Sequence, residues 1–182
     1  PYWENSFAPA LCNRIDRNTG GIVIAAKTAE GLRVMNQKIK DRELEKRYLC
    51  VIHGTMPQRE GKLEGYLWKD EVKKQVYVRS KPVPGAKTAV TLYRTLAVRN
   101  GLSLVECELV TGRTHQIRAQ LSKIGCPIRG DLKYGARRSL PGGGISLHSR
   151  SVEFEHPVRH EPVAVTAPVP ADDNLWAYFE NR

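Results

Sequence analysis

Apolar and polar residues alternate through much of this chain at a period of two, the spacing of a strand with one covered face. Val90, Leu92, Leu96 and Val98 alternate along one segment, and Val105, Cys107 and Leu109 alternate against Glu106 and Glu108 on the next. Asn100-Gly101 lies between them, and both positions tolerate positive φ, which predicts a two-residue hairpin turn. Residues 45–54, "EKRYLCVIHG", read as a strand ending in a glycine turn, and the apolar run 21–27, "GIVIAAK", as a buried strand. Weaker strands are expected at 62–68 and 75–79, with "KDEVKK" as a hydrated turn between them, and further strands at 145–155 and 162–166. "KPVPGAK" (81–87) and "PGGG" (141–144) are loops.

Two longer segments switch to helical spacing. Thr28 can cap a helix running to about Asp41, with Leu32, Met35 and Ile39 on one face. A second helix is expected from His115, capped by Thr114, with Ile117, Leu121 and Ile124 inward and Gly125 as its left-handed stop. A short helix from about Asp172 ends the pattern. Many strands, few helices and one clear hairpin predict an α+β fold, a mostly antiparallel mixed sheet flanked by helices.

Composition narrows the partner. A chain of 182 residues suits one core, so a single domain over 1–182 is expected. Its 29 Lys and Arg against 19 Asp and Glu leave a net charge of +10, which favours a polyanion, with nucleic acid first and a membrane surface second. No apolar run has the length of a membrane span, and no lysine-rich amphipathic helix stands out, so no membrane role is expected. Cys12, Cys50, Cys107 and Cys126 are scattered without a C-x-x-C pair. That argues against a zinc ribbon and fits reduced cysteines in the cytoplasm. The opening "PYWENSFAPA" lacks the charged start and apolar centre of a signal peptide. A first motif so near the start suggests a piece of a longer chain.

The chemistry concentrates in two segments. In "NRIDRNTGG" (13–21), Asp16 lies between Arg14 and Arg17 and before two glycines and an apolar run. An Asp beside arginines is most often half of a surface pair contributing roughly 0–1 kcal/mol. At the lip of a sheet, an ionised carboxylate can instead be a nucleophile or a base. In "TGRTHQIRAQLSKIGCPIRGDLKYG" (111–135), Arg113 and Thr114 open a helix, whose free N–H groups favour an anion. Arg118 follows core-facing Ile117 and can leave the apolar face edgewise toward a carboxylate. The ordinary reading of both arginines is solvated surface charge. His115 can orient a phosphate or serve the helix start. Tyr48 is either packing or a platform beneath an aromatic ring. His148, His156 and His160 lack the spacing of a metal set, and there is no P-loop and no G-x-S-x-G.

These segments, with "EKRYLCVIHG" and "LHSRSVEFEHPV", occur in an order and spacing that resembles the RluA-type pseudouridine synthases, which isomerise uridine in structured RNA. The first segment carries that family's Arg-x-Asp-Arg-x-Thr-x-Gly pattern, and the likeness runs from about Leu11 to Pro170. The resemblance implies the pseudouridine synthase catalytic fold, no cofactor and no metal. Asp16 would be the catalytic carboxylate, Tyr48 the tyrosine by the target base, and Arg118 the basic partner of the aspartate. Ile117 would line the pocket. Arg14 would fill the gap left by the flipped uridine, and Arg17, Arg113, Thr114 and His115 would hold RNA or shape the site. The implied substrate is structured RNA, ribosomal before transfer RNA, modified by a monomer. Asn13 stands where the family usually has histidine, and Ile15 where it usually has leucine. Family members also normally carry a further strand-rich segment before this point, without which the sheet would expose an edge. A non-catalytic RNA-binding or ribosome-assembly module that retains the fold is the alternative.

Overall fold

A computed structural model describes residues 7–171 and 173–180. In chain order the elements are β1 (Ala10–Leu11), β2 (Gly20–Gly21), β3 (Ala25–Ala26), α1 (Ala29–Lys40), β4 (Glu45–His53), β5 (Glu60–Asp70) and β6 (Gln75–Arg79). There follow β7 (Lys87–Arg99), β8 (Leu102–Leu109), α2 (Gln116–Lys123), a 3-10 turn (Leu132–Tyr134), β9 (Leu147–Glu155), β10 (Pro162–Thr166) and α3 (Asn174–Glu180). The main sheet has the order β10-β9-β4-β8-β7-β5-β6, antiparallel throughout, and β2 adds to β9 in parallel. The fold is α+β, as the pattern predicts. The expected final helix is α3, and its anticipated start at Asp172 lies outside the described residues.

Strand β4 is central, so both of its faces are covered, and this is why it reads as a nearly unbroken apolar run. Tyr48, Cys50 and Ile52 join Tyr93, Val105, Cys107 and Leu147 under Ile117 and Leu121 of α2. On the opposite face Leu49, Val51 and Leu104 pack against Trp176 and Phe179 of α3. The β4–β9 register slips once. Ser149 lies opposite Tyr48 and Ser151 opposite Arg47, so Arg150 is the extra residue of a bulge. The slip restores Val152 to the Tyr48 side, where it packs with Met35 of α1 and with Leu44. Helices α1 and α2 therefore share one face of the sheet and leave a cleft between them.

Three local expectations need correction. The run 21–27 is not one strand. Gly20 and Gly21 pair with His148 and Ser149, and then Ala25 and Ala26 turn away to pair with Leu11 and Ala10. Gly21 has φ 107°, and a Cβ there would run into the Ser149 carbonyl, so the chain passes too close to β9 to continue as an ordinary strand. In β7 the buried face is Ala89, Thr91 and Tyr93, while Leu92 and Val98 are exposed. Finally, Thr114 does not cap α2. The cap position is His115, in the left-handed region at φ 54°, without a side-chain cap bond.

Other local readings match the structure. Thr28 accepts the Gly31 N–H at 3.0 Å and caps α1. Asn100 and Gly101 take φ 50° and 76° in the β7–β8 turn. Cys12, Cys50, Cys107 and Cys126 are free thiols. Among the described residues no helix is long and apolar enough to cross a membrane.

Candidate active site

The segment that carries Asp16 is stitched down on both sides. The Thr19 N–H donates to the Asp16 carbonyl at 2.9 Å and closes a turn. Asn13 Oδ1 accepts the Ile24 N–H at 2.8 Å, and the Cys12 N–H donates to the Ile24 carbonyl at 2.8 Å. Asn13 thus ties the start of the turn to the segment after it, which accounts for an amide at that position. The Ile22 N–H donates to the Ser149 carbonyl at 3.1 Å. Since Ser149 is also the residue opposite Tyr48, the same bonds bring Asp16 to the Tyr48 end of the sheet.

The start of α2 is fixed by buried amides. Gln116 Oε1 accepts the Thr111 hydroxyl at 2.7 Å and the Arg113 N–H at 3.0 Å. Its Nε2 donates to the Val90 carbonyl at 3.0 Å and to Thr91 Oγ1 at 2.8 Å. Gln120 Oε1 accepts the Thr91 hydroxyl at 2.6 Å. These bonds satisfy polar groups that would otherwise be costly inside the protein. They also lock segment 111–113 and α2 onto β7.

Arg118 lies at the centre of the resulting charge network. Its Nε and Nη2 donate to the two oxygens of Asp131 at 2.8 and 2.9 Å, a bidentate fork. Its Nη1 reaches Asp16 Oδ2 at 3.5 Å. Asp131 is 1% exposed, so its charge is compensated almost wholly by Arg118. Burial works against the guanidinium charge, but the Asp131 hydrogen bonds and the charges of Asp131 and Asp16 outweigh it and hold Arg118 above its usual range. The Arg118 fork therefore belongs to Asp131, and Asp16 is held by the remaining nitrogen. The guanidinium also sits over the Tyr134 ring, 4.8 Å from its centroid.

His115 closes the network. The Val76 N–H donates to Tyr134 Oη at 2.9 Å, and the same oxygen shares a hydrogen bond with His115 Nδ1 at 2.7 Å. Burial raises the Tyr134 pKa, with the Val76 bond and Arg118 opposing. Burial likewise lowers that of His115, against the pull of Asp16. The other ring nitrogen of His115, Nε2, faces Asp16 Oδ1 at 3.6 Å. The left-handed backbone at His115 puts its ring at this point.

Asp16, Tyr48, Arg118, Arg14, Arg17, Arg113, Thr114, His115 and Ile117 all line one cleft of about 690 Å³. Arg14 and Arg17 are exposed, Arg113 is half-buried with its Nε donating to the Thr88 carbonyl at 2.9 Å, and Ile117 is buried. Tyr48 is nearly buried. Burial raises its pKa, a Ser149 hydrogen bond opposes this, and the charge of Asp16 adds to it. Lys46 also lines the cleft, and burial draws its ammonium below the usual range. Asp131, Tyr134, Gln116 and Lys46 are the site residues that sequence reasoning missed. For Asp131 and Tyr134 the available signal was "GDLKYG" downstream of α2, and nothing in its spacing points Asp131 at Arg118.

A carboxylate held by an arginine and an imidazole beside a buried tyrosine, in a basic cleft on an antiparallel sheet, suits general acid–base or nucleophilic chemistry on a polyanion. The family described as RNA pseudouridylate synthase matches residues 3–123, and the chain belongs to it, in its RluA-type branch. The chain is 33% identical over 164 residues to a Bacillus subtilis protein named as the uncharacterized RNA pseudouridine synthase YlyB, covering 90% of this chain and 53% of that one. It is 32% identical over 175 residues to the ribosomal large subunit pseudouridine synthase D of Xylella fastidiosa, covering 89% and 52%. The chain thus spans about half the length of the curated relatives it matches. The solved human RNA pseudouridylate synthase domain containing 4 superposes with a TM-score of 0.76 at 22% identity, over 92% of this chain and 74% of that one. That likeness shows the same fold.

Proposed function

We propose that the chain is the catalytic part of an RNA pseudouridine synthase acting on structured RNA, with ribosomal RNA as the preferred substrate. The observation that carries this is the placement of Asp16 between His115 and Arg118, at 3.6 and 3.5 Å, in a cleft that also holds Tyr48. The reaction breaks the N1–C1′ bond of uridine, turns the base and forms a C5–C1′ bond. The C5 proton leaves and N1 gains one, so no electrons are exchanged and no cofactor is needed. Asp16 either attacks C1′ or removes the C2′ proton to give a glycal. In both routes it must stay ionised once the base has displaced water, and Arg118 supplies a charge for that across the working pH range. Tyr48 keeps its proton at neutral pH, so it serves as a hydrogen-bonding platform and relays the C5 proton rather than waiting as a phenolate. Extracting the uridine from its stack costs a few kcal/mol, which Arg14 at the mouth of the cleft offsets by occupying the vacancy.

Tritium release from RNA labelled at uridine C5 tests the reading. The full-length protein is expected to release tritium and its Asp16→Asn variant to release none above background. Release by that variant at a tenth of the parent rate or more would overturn the role given to Asp16.

A further inference from the structure

Lys46 is half-buried in the cleft wall, and among the described residues its ammonium has neither an ion pair nor a hydrogen bond. The other cations of the cleft differ. Arg118 is forked to Asp131, Arg113 Nε donates to the Thr88 carbonyl, and Arg14 and Arg17 stand exposed at the mouth. Burial lowers the Lys46 pKa, with no carboxylate to offset it. An ammonium drawn out of water without a partner is costly, and a strong acceptor on a bound ligand relieves that cost. Gly112 makes room for it. A Cβ there would come within 3.2 Å of Lys46 Nζ, and the Gly112 backbone lies outside the left-handed region, so space rather than φ calls for glycine. Lys46 and Asp16 approach Tyr48 from opposite ends of the cleft. Along β4, Lys46 and Tyr48 share one face, about 7 Å apart. The turn bearing Asp16 joins the sheet from the other direction, through Gly20 and Gly21 at the level of Leu49 and Tyr48. Segment 112–115 gives the same order, since Gly112 abuts Lys46 and His115 reaches Asp16 at 3.6 Å.

We propose that Lys46 donates a hydrogen bond to the uracil carbonyl farthest from the ribose and holds the negative charge that develops on the base when its glycosidic bond breaks. The proposal rests on the pseudouridine synthase reading of the cleft. With C1′ at Asp16 and the ring against Tyr48, the atom across the ring from N1 is C4, so O4 faces the ammonium. When the N1–C1′ bond breaks, its electron pair stays on N1 and the charge spreads to O2 and O4. The base then turns until C5 faces C1′. The atom across the ring from C5 is C2, so O2 takes the place of O4. A carbonyl thus faces Lys46 before and after the turn. C5 bonds to C1′, the C5 proton leaves and N1 gains one, while Lys46 keeps its protons throughout. A fixed donor where charge develops stabilises the transition state more than the substrate.

Single-turnover tritium release and filter binding test it, both with the full-length protein and ribosomal RNA transcribed with uridine tritiated at C5. Lys46→Met keeps the reach of the side chain and removes its charge. It is expected to slow release about a hundredfold, with RNA affinity within about twofold of the parent and a melting temperature no lower. Lys46→Arg, which restores a cation, is expected to recover about tenfold of that loss. Release by Lys46→Met at the parent rate overturns the proposal. So does a weaker affinity with a shallower slope against log salt, since that marks a phosphate contact. A rate loss that tracks a lower melting temperature, or that Arg fails to lift, marks packing and overturns it too. Asp16→Asn, run in parallel, separates this from the reading beneath it. Asp16-dependent release with Lys46→Met at the parent rate keeps the catalytic reading and rejects the role of Lys46. Lys46-dependent release that persists in Asp16→Asn does the reverse.

Discussion

At the scale of single residues, the site depends on groups two steps removed from Asp16. Arg118 is oriented by Asp131, and His115 by Tyr134. Truncating one member of a buried pair leaves an uncompensated charge, which is destabilising by about 3–5 kcal/mol, whereas replacing both members with apolar residues is often far milder. Urea unfolding should therefore show Asp131→Ala losing about that much, and Arg118→Met/Asp131→Leu losing less than Asp131→Ala alone. A double variant less stable than both singles would reject the pairing as drawn. His115 gives a pH signature. Burial holds its native value below the ordinary 6.5, so between the two values the unfolded chain binds the proton first. Stability then falls as pH drops below 6.5 and levels off below the lowered native value. Burial and Arg129 lower His53 in the same direction, so the contribution of His115 is the difference between parent and His115→Gln stability curves. A difference curve rising toward acid pH would contradict the lowering of His115 by burial.

At the scale of elements, local chemistry explains what was legible. Thr28 and Asn100-Gly101 act through bonds and φ values a few residues away, so the α1 cap and the β7–β8 turn are visible in the chain itself. Strand β7 misleads because its covered face is partly polar. Thr91 is fully buried, bonded to Gln116 and Gln120, while Leu92 is exposed. Helix α2 misleads in the same way, for Gln116, Arg118 and Gln120 are buried with their partners on other elements. Alternation counts apolar residues and cannot register a hydroxyl satisfied by a glutamine from α2. Thr91→Val should therefore destabilise the fold by about 1–3 kcal/mol despite adding an apolar group, since it removes the donor to Gln120 Oε1 and leaves Gln116 Nε2 with the Val90 carbonyl alone. Thermal unfolding checks this, and a neutral or stabilising result would show that Gln120 Oε1 finds another partner.

At the scale of the whole molecule, the charge balance and the covered faces set the binding side. Helix α3 occupies one face of the central strands, and α1 and α2 flank the cleft on the other. With a net charge of +10, RNA affinity should fall linearly with log salt, by about 0.7 per phosphate contact for a single strand. A slope near zero would argue against a phosphate-tracking surface.

The sequence by itself determined the α+β class, the β7–β8 hairpin, the cap of α1, and the two segments that bear Asp16 and Arg118. Each of these is specified by residues close together in the chain. The tertiary structure alone decided which carboxylate takes the Arg118 fork, which face of β7 is covered, and which groups face the two ring nitrogens of His115. Those outcomes join partners as far apart as Asp16 and Arg118, 102 positions, or Val76 and Tyr134, 58 positions. Such partners meet only after the strands have paired and α2 has settled on β7, because a hydrogen bond's direction is set by the backbone on both sides of it.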